Sequence, residues 1–113
     1  MLPFKNRLKK EKEIEEVFKK GKSIKEGFFF LKKVKNNLTD SRFCFSIPGN
    51  VTKKAVVRNR LKRRMREVVR ENLPKIKKGL DVVVIALPGS EKLDFKNIKK
   101  GLLRLFSRAK ILE

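Results

Sequence analysis

The stretch Lys54-Ala-Val-Val-Arg-Asn-Arg-Leu-Lys-Arg-Arg-Met-Arg-Glu-Val-Val-Arg70 carries two patterns at once, and both bear on the fold. Its apolar residues Val57, Leu61, Met65, Val68 and Val69 recur at i, i+4, i+8, i+11 and i+12, the stripe of a helix with one face in a core. The remaining surface is cationic: between residues 53 and 70 there are nine Lys or Arg against one acid, Glu67. Pairs such as Lys62/Arg66 and Arg66/Arg70 stand at i,i+4, where like charges repel by about 0.2–0.5 kcal/mol each. Folding alone does not favour that arrangement, so the helix points to a polyanionic partner. It is expected to start near Thr52 or Lys54 and to end at about Asn72, with Pro74 closing it.

Downstream, Asp81-Val-Val-Val-Ile-Ala-Leu87 is a continuous β-branched run, the signature of a strand covered on both faces, and Pro88-Gly89-Ser90 is its turn. Residues 94–111 then bring Phe95, Ile98, Leu102, Leu105, Phe106 and Ala109 to one side of another amphipathic helix. Upstream, Phe28-Phe29-Phe30-Leu31 with Val34, a polar turn over residues 36–41, and Arg42-Phe43-Cys44-Phe45-Ser46-Ile47 predict two strands that pair antiparallel. The second alternates, with Phe43, Phe45 and Ile47 on one face; the first is apolar on both. Over residues 10–20 Ile14, Val17 and Phe18 mark a short helix, acids leading, lysines closing, and Gly21 offering a C′ stop. Residues 1–10 read as a basic arm that orders on binding or lies along the surface. The order α, β, β, α, β, α places helices on one mixed sheet in the α+β sandwich class, with the basic helix as a crossover between parallel strands.

A chain of 113 residues that is 40% apolar, with nine Phe, suits one domain with one modest core, spanning residues 1–113. Its net charge of +20 makes nucleic acid the leading partner class. The longest apolar run, residues 82–87, is far too short to span a bilayer, and no signal-peptide pattern opens the chain, so a cytoplasmic protein with no membrane association is expected. One cysteine and no histidine preclude an internal disulfide and a zinc site of nitrogen and sulfur ligands, and remove the commonest general base. Cys44, between Phe43 and Phe45, reads as a small packed residue. Glu13, Glu15 and Glu16 read as solvated groups complementing a helix dipole more than as a metal or acid–base set. No catalytic residue and no metal ligand is assigned to this chain.

The basic surface supplies guanidinium forks that match phosphate oxygens, lysine point charges, and Asn59 for a base edge, ribose hydroxyl or backbone group. A leucine-zipper basic region fails on context, because Pro74 interrupts the helix where a coiled coil should continue. Strands on both sides of the helix do not suit a helix-turn-helix, so RNA is favoured and DNA is not expected. Phe18, Phe28 and Phe30 are the aromatics best placed to stack unpaired bases.

These residues resemble the protein component of bacterial ribonuclease P along nearly the whole chain. Asn6-Arg-Leu-Lys-Lys10, Val17-Phe-Lys-Lys-Gly21, Lys54-Ala-Val-Val-Arg-Asn-Arg-Leu-Lys-Arg63 followed by Arg66-Glu67, and Asp81-Val-Val-Val-Ile85 are similar to that family's landmarks, in order. The Ala-Val-Val-Arg-Asn-Arg-Leu-Lys-Arg stretch is the specific one. The resemblance implies an α-β-β-β-α-β-α two-layer sandwich similar to the second domain of ribosomal protein S5, with a left-handed βαβ crossover where general rules predict a right-handed one. It implies the non-catalytic protein subunit of an endoribonuclease that removes the 5′ leader of precursor tRNA. Ribonuclease P RNA would carry the chemistry and, with the substrate, hold the Mg²⁺.

Carried over by position, Arg58, Asn59, Arg60, Lys62, Arg63 and Arg66 would face that RNA, with Lys54, Arg7 and Lys9 assisting. The resemblance places a leader cleft between the first helix and the sheet, with Phe18 matching a cleft aromatic and Ile14 and Lys32 at cleft positions; Phe28 and Phe30, read from the sequence as stacking surfaces, are expected to join them there. Departures are visible. Ile14 and Lys32 stand where the family commonly has aromatics, which shifts leader contact from stacking toward electrostatics, and the residues 48–52 replace a more basic loop.

Overall fold

The computed structural model describes residues 2–113. In chain order it contains α1 (Glu11–Lys20), β1 (Lys22–Glu26), β2 (Phe29–Lys35), β3 (Arg42–Ser46), α2 (Ala55–Asn72), β4 (Leu80–Ala86) and α3 (Phe95–Arg108). The four strands form one sheet in the order β1-β2-β4-β3. β1 and β2 are an antiparallel hairpin, β2 pairs antiparallel with β4, and β3 pairs parallel with β4. The mixed sheet and the crossover role of α2 between parallel strands match the sequence reading.

Placement in the sheet follows burial. Val82, Val84 and Ala86 of β4 enter the principal core with Phe29, Leu31, Phe43 and Phe45, under Leu61, Met65, Val68 and Val69 of α2 and Ile98, Leu102, Leu105 and Phe106 of α3. Val83 and Ile85 point the other way and join Leu8 and Val17 in a second, small cluster, lined by Ile14, Phe30, Val34 and Cys44. A strand apolar on both faces is most stable with a neighbour at each edge and cover on each face. β4 therefore occupies the interior, while β1, with Lys22, Ser23 and Lys25 exposed, takes an edge. The expected pairing of the strand after Phe28 with the strand after Arg42 does not occur: β4 inserts between them. The hairpin is made one strand earlier, through Gly27 at φ 59, with Glu26 opposite Phe29. β1 was invisible to hydrophobic periodicity because it has one apolar residue, Ile24, and only the family resemblance implied three strands before α2.

The termini are tied in. Leu2 and Leu8 are buried, Arg7 bridges Phe43, and the Leu8 amide donates to the Phe43 carbonyl at 2.9 Å, so the basic arm lies along β3. The Lys77 amide donates to the Ile111 carbonyl at 2.7 Å, fastening the end of the chain to the linker after α2. α3 stops at Arg108, short of the expected Ile111, because Lys110 turns to φ 59. Gly21 follows α1 as expected but for another reason: its φ is −72, and a Cβ there would lie 2.4 Å from the Val17 carbonyl oxygen. Crowding by the last turn of α1 and by the β2 backbone at Lys33, not left-handed backbone, demands glycine.

Candidate nucleic-acid interface

α2 packs through its apolar stripe and leaves its other side to solvent. Asn59, Arg60, Arg63 and Arg66 are exposed, and Arg58 and Lys62 are half-buried. Asn59, Lys62, Arg63, Arg66 and Glu67 line an open groove of about 440 Å³ along the helix. Arg58 turns one guanidinium N–H back to the Thr52 carbonyl at 3.3 Å, which steadies the loop before the helix. Lys54 is the N-cap, no side chain caps the helix, and its first turn holds no acid. The free amides and positive dipole end therefore add to the side-chain charge, the reverse of what stabilises an isolated helix. Glu67 bonds Arg70 on the same helix.

Arg7 and Lys9 sit on the arm beside β3. The Arg7 Nε donates to the Leu2 carbonyl at 2.8 Å, and Lys9 lies 4.8 Å from the centre of the Phe4 ring. Cys44, half-buried on β3, has its thiol pushed up by burial while Lys62 and Arg66 pull it down, so the field of α2 reaches this edge of the sheet.

On the opposite face α1 overhangs the sheet and leaves a groove of about 320 Å³. Phe18, Phe30, Ser46, Pro48, Asn50 and Ile85 line it, with Ala86, Leu87 and Pro88 at one end. Phe18 is 41% exposed. Lys32 reaches under it, its Nζ donating to the Phe18 carbonyl at 3.0 Å and standing 5.6 Å from the ring centre. Lys32 thus both caps the carbonyl end of α1 and keeps a cation against the aromatic wall. Ile14 packs into the small cluster beneath α1 and does not line the groove. Phe28 is set apart: it precedes β2, its ring lies against Gly89, and it lines a groove with α3. Phe18, Phe30 and Lys32 are brought together; Phe28 is not, because at the hairpin turn its ring lies over Gly89 and toward α3.

Sequence reasoning missed what holds α1 in place. Arg42 of β3 is bidentate to Asp81 of β4, at 2.9 and 2.7 Å, and also bidentate to Glu13 of α1, at 3.2 and 3.1 Å. Asn36 donates to the same Asp81 carboxylate at 2.9 Å. The bonds to Asp81 first, and then those to Glu13, raise the guanidinium pKa further against the opposing effect of burial, so this link stays charged. Its signal was an acid opening an apolar strand, but its partners lie 29 and 39 residues away in sequence from Arg42. Among the described residues no group of three or more Asp, Glu, His or Cys converges to hold a metal. No helix among the described residues is long and apolar enough to cross a membrane.

The family model described as Ribonuclease P matches residues 2–110. The chain is 36% identical over 113 residues to the ribonuclease P protein component of Synechocystis, covering 99% of this chain and 91% of that one. It is 36% identical to that of Alkaliphilus metalliredigens, covering 95% and 96%. Among solved structures, the ribonuclease P protein of Staphylococcus aureus superposes with a TM-score of 0.88 at 26% identity, covering 96% of this chain and 98% of that one. That of Thermotoga maritima superposes at 0.82 with 34% identity, covering 90% and 96%. Sequence likeness and fold likeness both run the length of the molecule, through the α2 surface and the α1 groove alike: the chain belongs to the family of ribonuclease P protein components.

Proposed function

We propose that the protein binds ribonuclease P RNA through α2 and receives the 5′ leader of precursor tRNA in the groove between α1 and the sheet. In this role it assists Mg²⁺-dependent removal of the leader. The observation that carries the proposal is the uncompensated cationic side of α2, with its uncapped, acid-free N-terminus, in a member of this family. Arg58, Asn59, Arg60, Lys62, Arg63 and Arg66 supply charge and bidentate forks to phosphates, and Lys54, Arg7 and Lys9 extend that surface at its ends. In the groove, Phe18 and Phe30 offer ring surfaces to unpaired bases, while Lys32 faces their phosphates. The cleavage chemistry, and the Mg²⁺ it uses, are assigned in this reading to the RNA and the substrate.

Reconstitution tests this. Adding the protein to a bacterial ribonuclease P RNA at low Mg²⁺ should stimulate precursor-tRNA cleavage, and no stimulation at any protein ratio would overturn the proposal. Phe18→Ala should weaken precursor binding about tenfold, the order of one lost base–aromatic stack, with affinity for ribonuclease P RNA nearly unchanged.

A further inference from the structure

α3 repeats, at the opposite edge of the sheet, the charge imbalance seen on α2. Its fourteen residues hold five cations, Lys96, Lys99, Lys100, Arg104 and Arg108, and no acid. Lys96, Lys100, Arg104 and Arg108 are spaced i,i+4 throughout and all are exposed, so four like charges form one row along the helix. Arg108 pairs with Glu26 at 3.0 Å and Lys99 with Glu71 at 3.6 Å; Lys96, Lys100 and Arg104 have no acidic partner within 4.0 Å among the described residues. α3 packs on β1 and β2 and α2 on β3, so the sheet order sets the two cationic rows at different edges.

Beside this row lies an aromatic ring that the α1 groove does not use. Phe28 is 45% exposed and lines a groove of about 290 Å³ with Glu26, Asn97, Lys100 and Arg104. The ring is held: the Leu87 amide donates to the Phe28 carbonyl at 2.8 Å, and a Cβ on Gly89 would lie 2.6 Å from the ring. Part of the phenyl group is thus seated on bare backbone, while just under half of the residue's surface is open to solvent in a groove that also holds Lys100 and Arg104.

We infer that this groove is a second RNA site, for an unpaired strand whose phosphates follow Lys96, Lys100 and Arg104 while one base stacks on Phe28. The ring favours RNA over an acidic protein surface: carboxylates satisfy cations but leave a held, part-exposed aromatic ring with nothing to stack on it. An unpaired strand supplies both a π-face and a phosphate row. The inference rests on α3 and the turn before β2, independently of the role proposed for α2.

The chain contains neither Trp nor Tyr, so a Phe28→Trp variant carries a single indole fluorophore placed in the groove. Titration with an unstructured twelve-nucleotide RNA should quench that fluorescence by at least about half at saturation. Inorganic polyphosphate and polyglutamate should bind without comparable quenching. Adding Lys100→Gln and Arg104→Gln should raise the half-quenching concentration several-fold and flatten its log–log salt dependence by about 1.4, the contribution of two single-strand phosphates. The triple change Arg58→Ala, Arg60→Ala and Arg63→Ala should leave the quenching amplitude in place. A 4-thiouridine strand crosslinked to the unsubstituted protein should label residues 26–29. No quenching at saturating RNA, equal quenching by polyglutamate, or absence of that crosslink would each overturn the inference.

Discussion

α1 and α2 lie on opposite faces of one sheet and dispose of their charge in opposite ways. α1 opens with Glu11 and Glu13 and closes with Lys19 and Lys20, matching its dipole, and it pairs Glu16 with Lys20 at 3.0 Å and Glu13 with Arg42 at 3.1 Å. α2 opens with no acid and no side-chain cap, and sets its cations against one another. What lies beneath them is reversed. α2 is anchored in the principal core, whereas α1 rests on the small cluster of Leu8, Val17, Val83 and Ile85. A large core tolerates a helix that repels itself, which frees its charge for a partner; a helix on a small core needs its charge used within the molecule.

Cavity formation should break this comparison most visibly. Met65→Ala, in the principal core, should cost about 3 kcal/mol or more and lower the melting temperature by roughly 10 °C, whereas Val17→Ala under α1 should cost about 2 kcal/mol or less. Equal losses in calorimetry would mean that α1 is as firmly held as α2. Arg42→Met tests the link that substitutes for core on the α1 side. It leaves Asp81 buried without its cation and should cost about 3 kcal/mol in urea unfolding, part of which Asp81→Asn should restore. A double variant as unstable as the sum of the singles would show that the two side chains act separately.

The α2 charges should behave in the contrary sense. Replacing Arg58, Arg60 and Arg63 with Ala should change stability by no more than a few tenths of a kcal/mol, relief of repulsion offsetting the lost contact between Arg58 and the Thr52 carbonyl. In contacts with about five phosphates, the full surface should give log affinity for ribonuclease P RNA a slope of roughly −3.5 to −4.5 against log salt, and the triple variant should flatten it by about 2 to 3. An unchanged slope would locate the RNA surface elsewhere. The smallest effect concerns Lys33 on β2, whose pKa is lowered by burial first and then by Lys77, Lys22 and Lys110. The folded state therefore binds this proton less tightly than the unfolded chain. Between the lowered value and the ordinary 10.5, stability should rise with pH relative to a Lys33→Gln variant, and identical pH profiles would remove the effect.

Most of the fold was legible where hydrophobic period is strong. The stripe of α2, the two-faced run of β4 and the α3 pattern were readable because each buries many apolar groups at regular spacing. β1 was not, since an exposed edge strand such as Lys-Ser-Ile-Lys-Glu is held by backbone pairing and has little apolar pattern to display. Strand order was misjudged for a related reason. Adjacency along the chain favoured a pair between β2 and β3, but the doubly apolar β4 gains more by lying between them.

Of the interface, the cations of α2 were legible as a one-dimensional excess of charge, which no folding can neutralise without acids to pair. The chain by itself therefore determined that a strongly cationic surface exists, on which helix, and which side of that helix faces a core. Tertiary structure alone decided what meets what across long separations: Arg42 between Glu13 and Asp81, Lys32 under Phe18, and Phe28 carried away from the α1 groove to Gly89 and α3. Periodicity reports which way a side chain points within its own element. Which element it then meets depends on strand order, and that is set by where the whole chain buries its apolar surface.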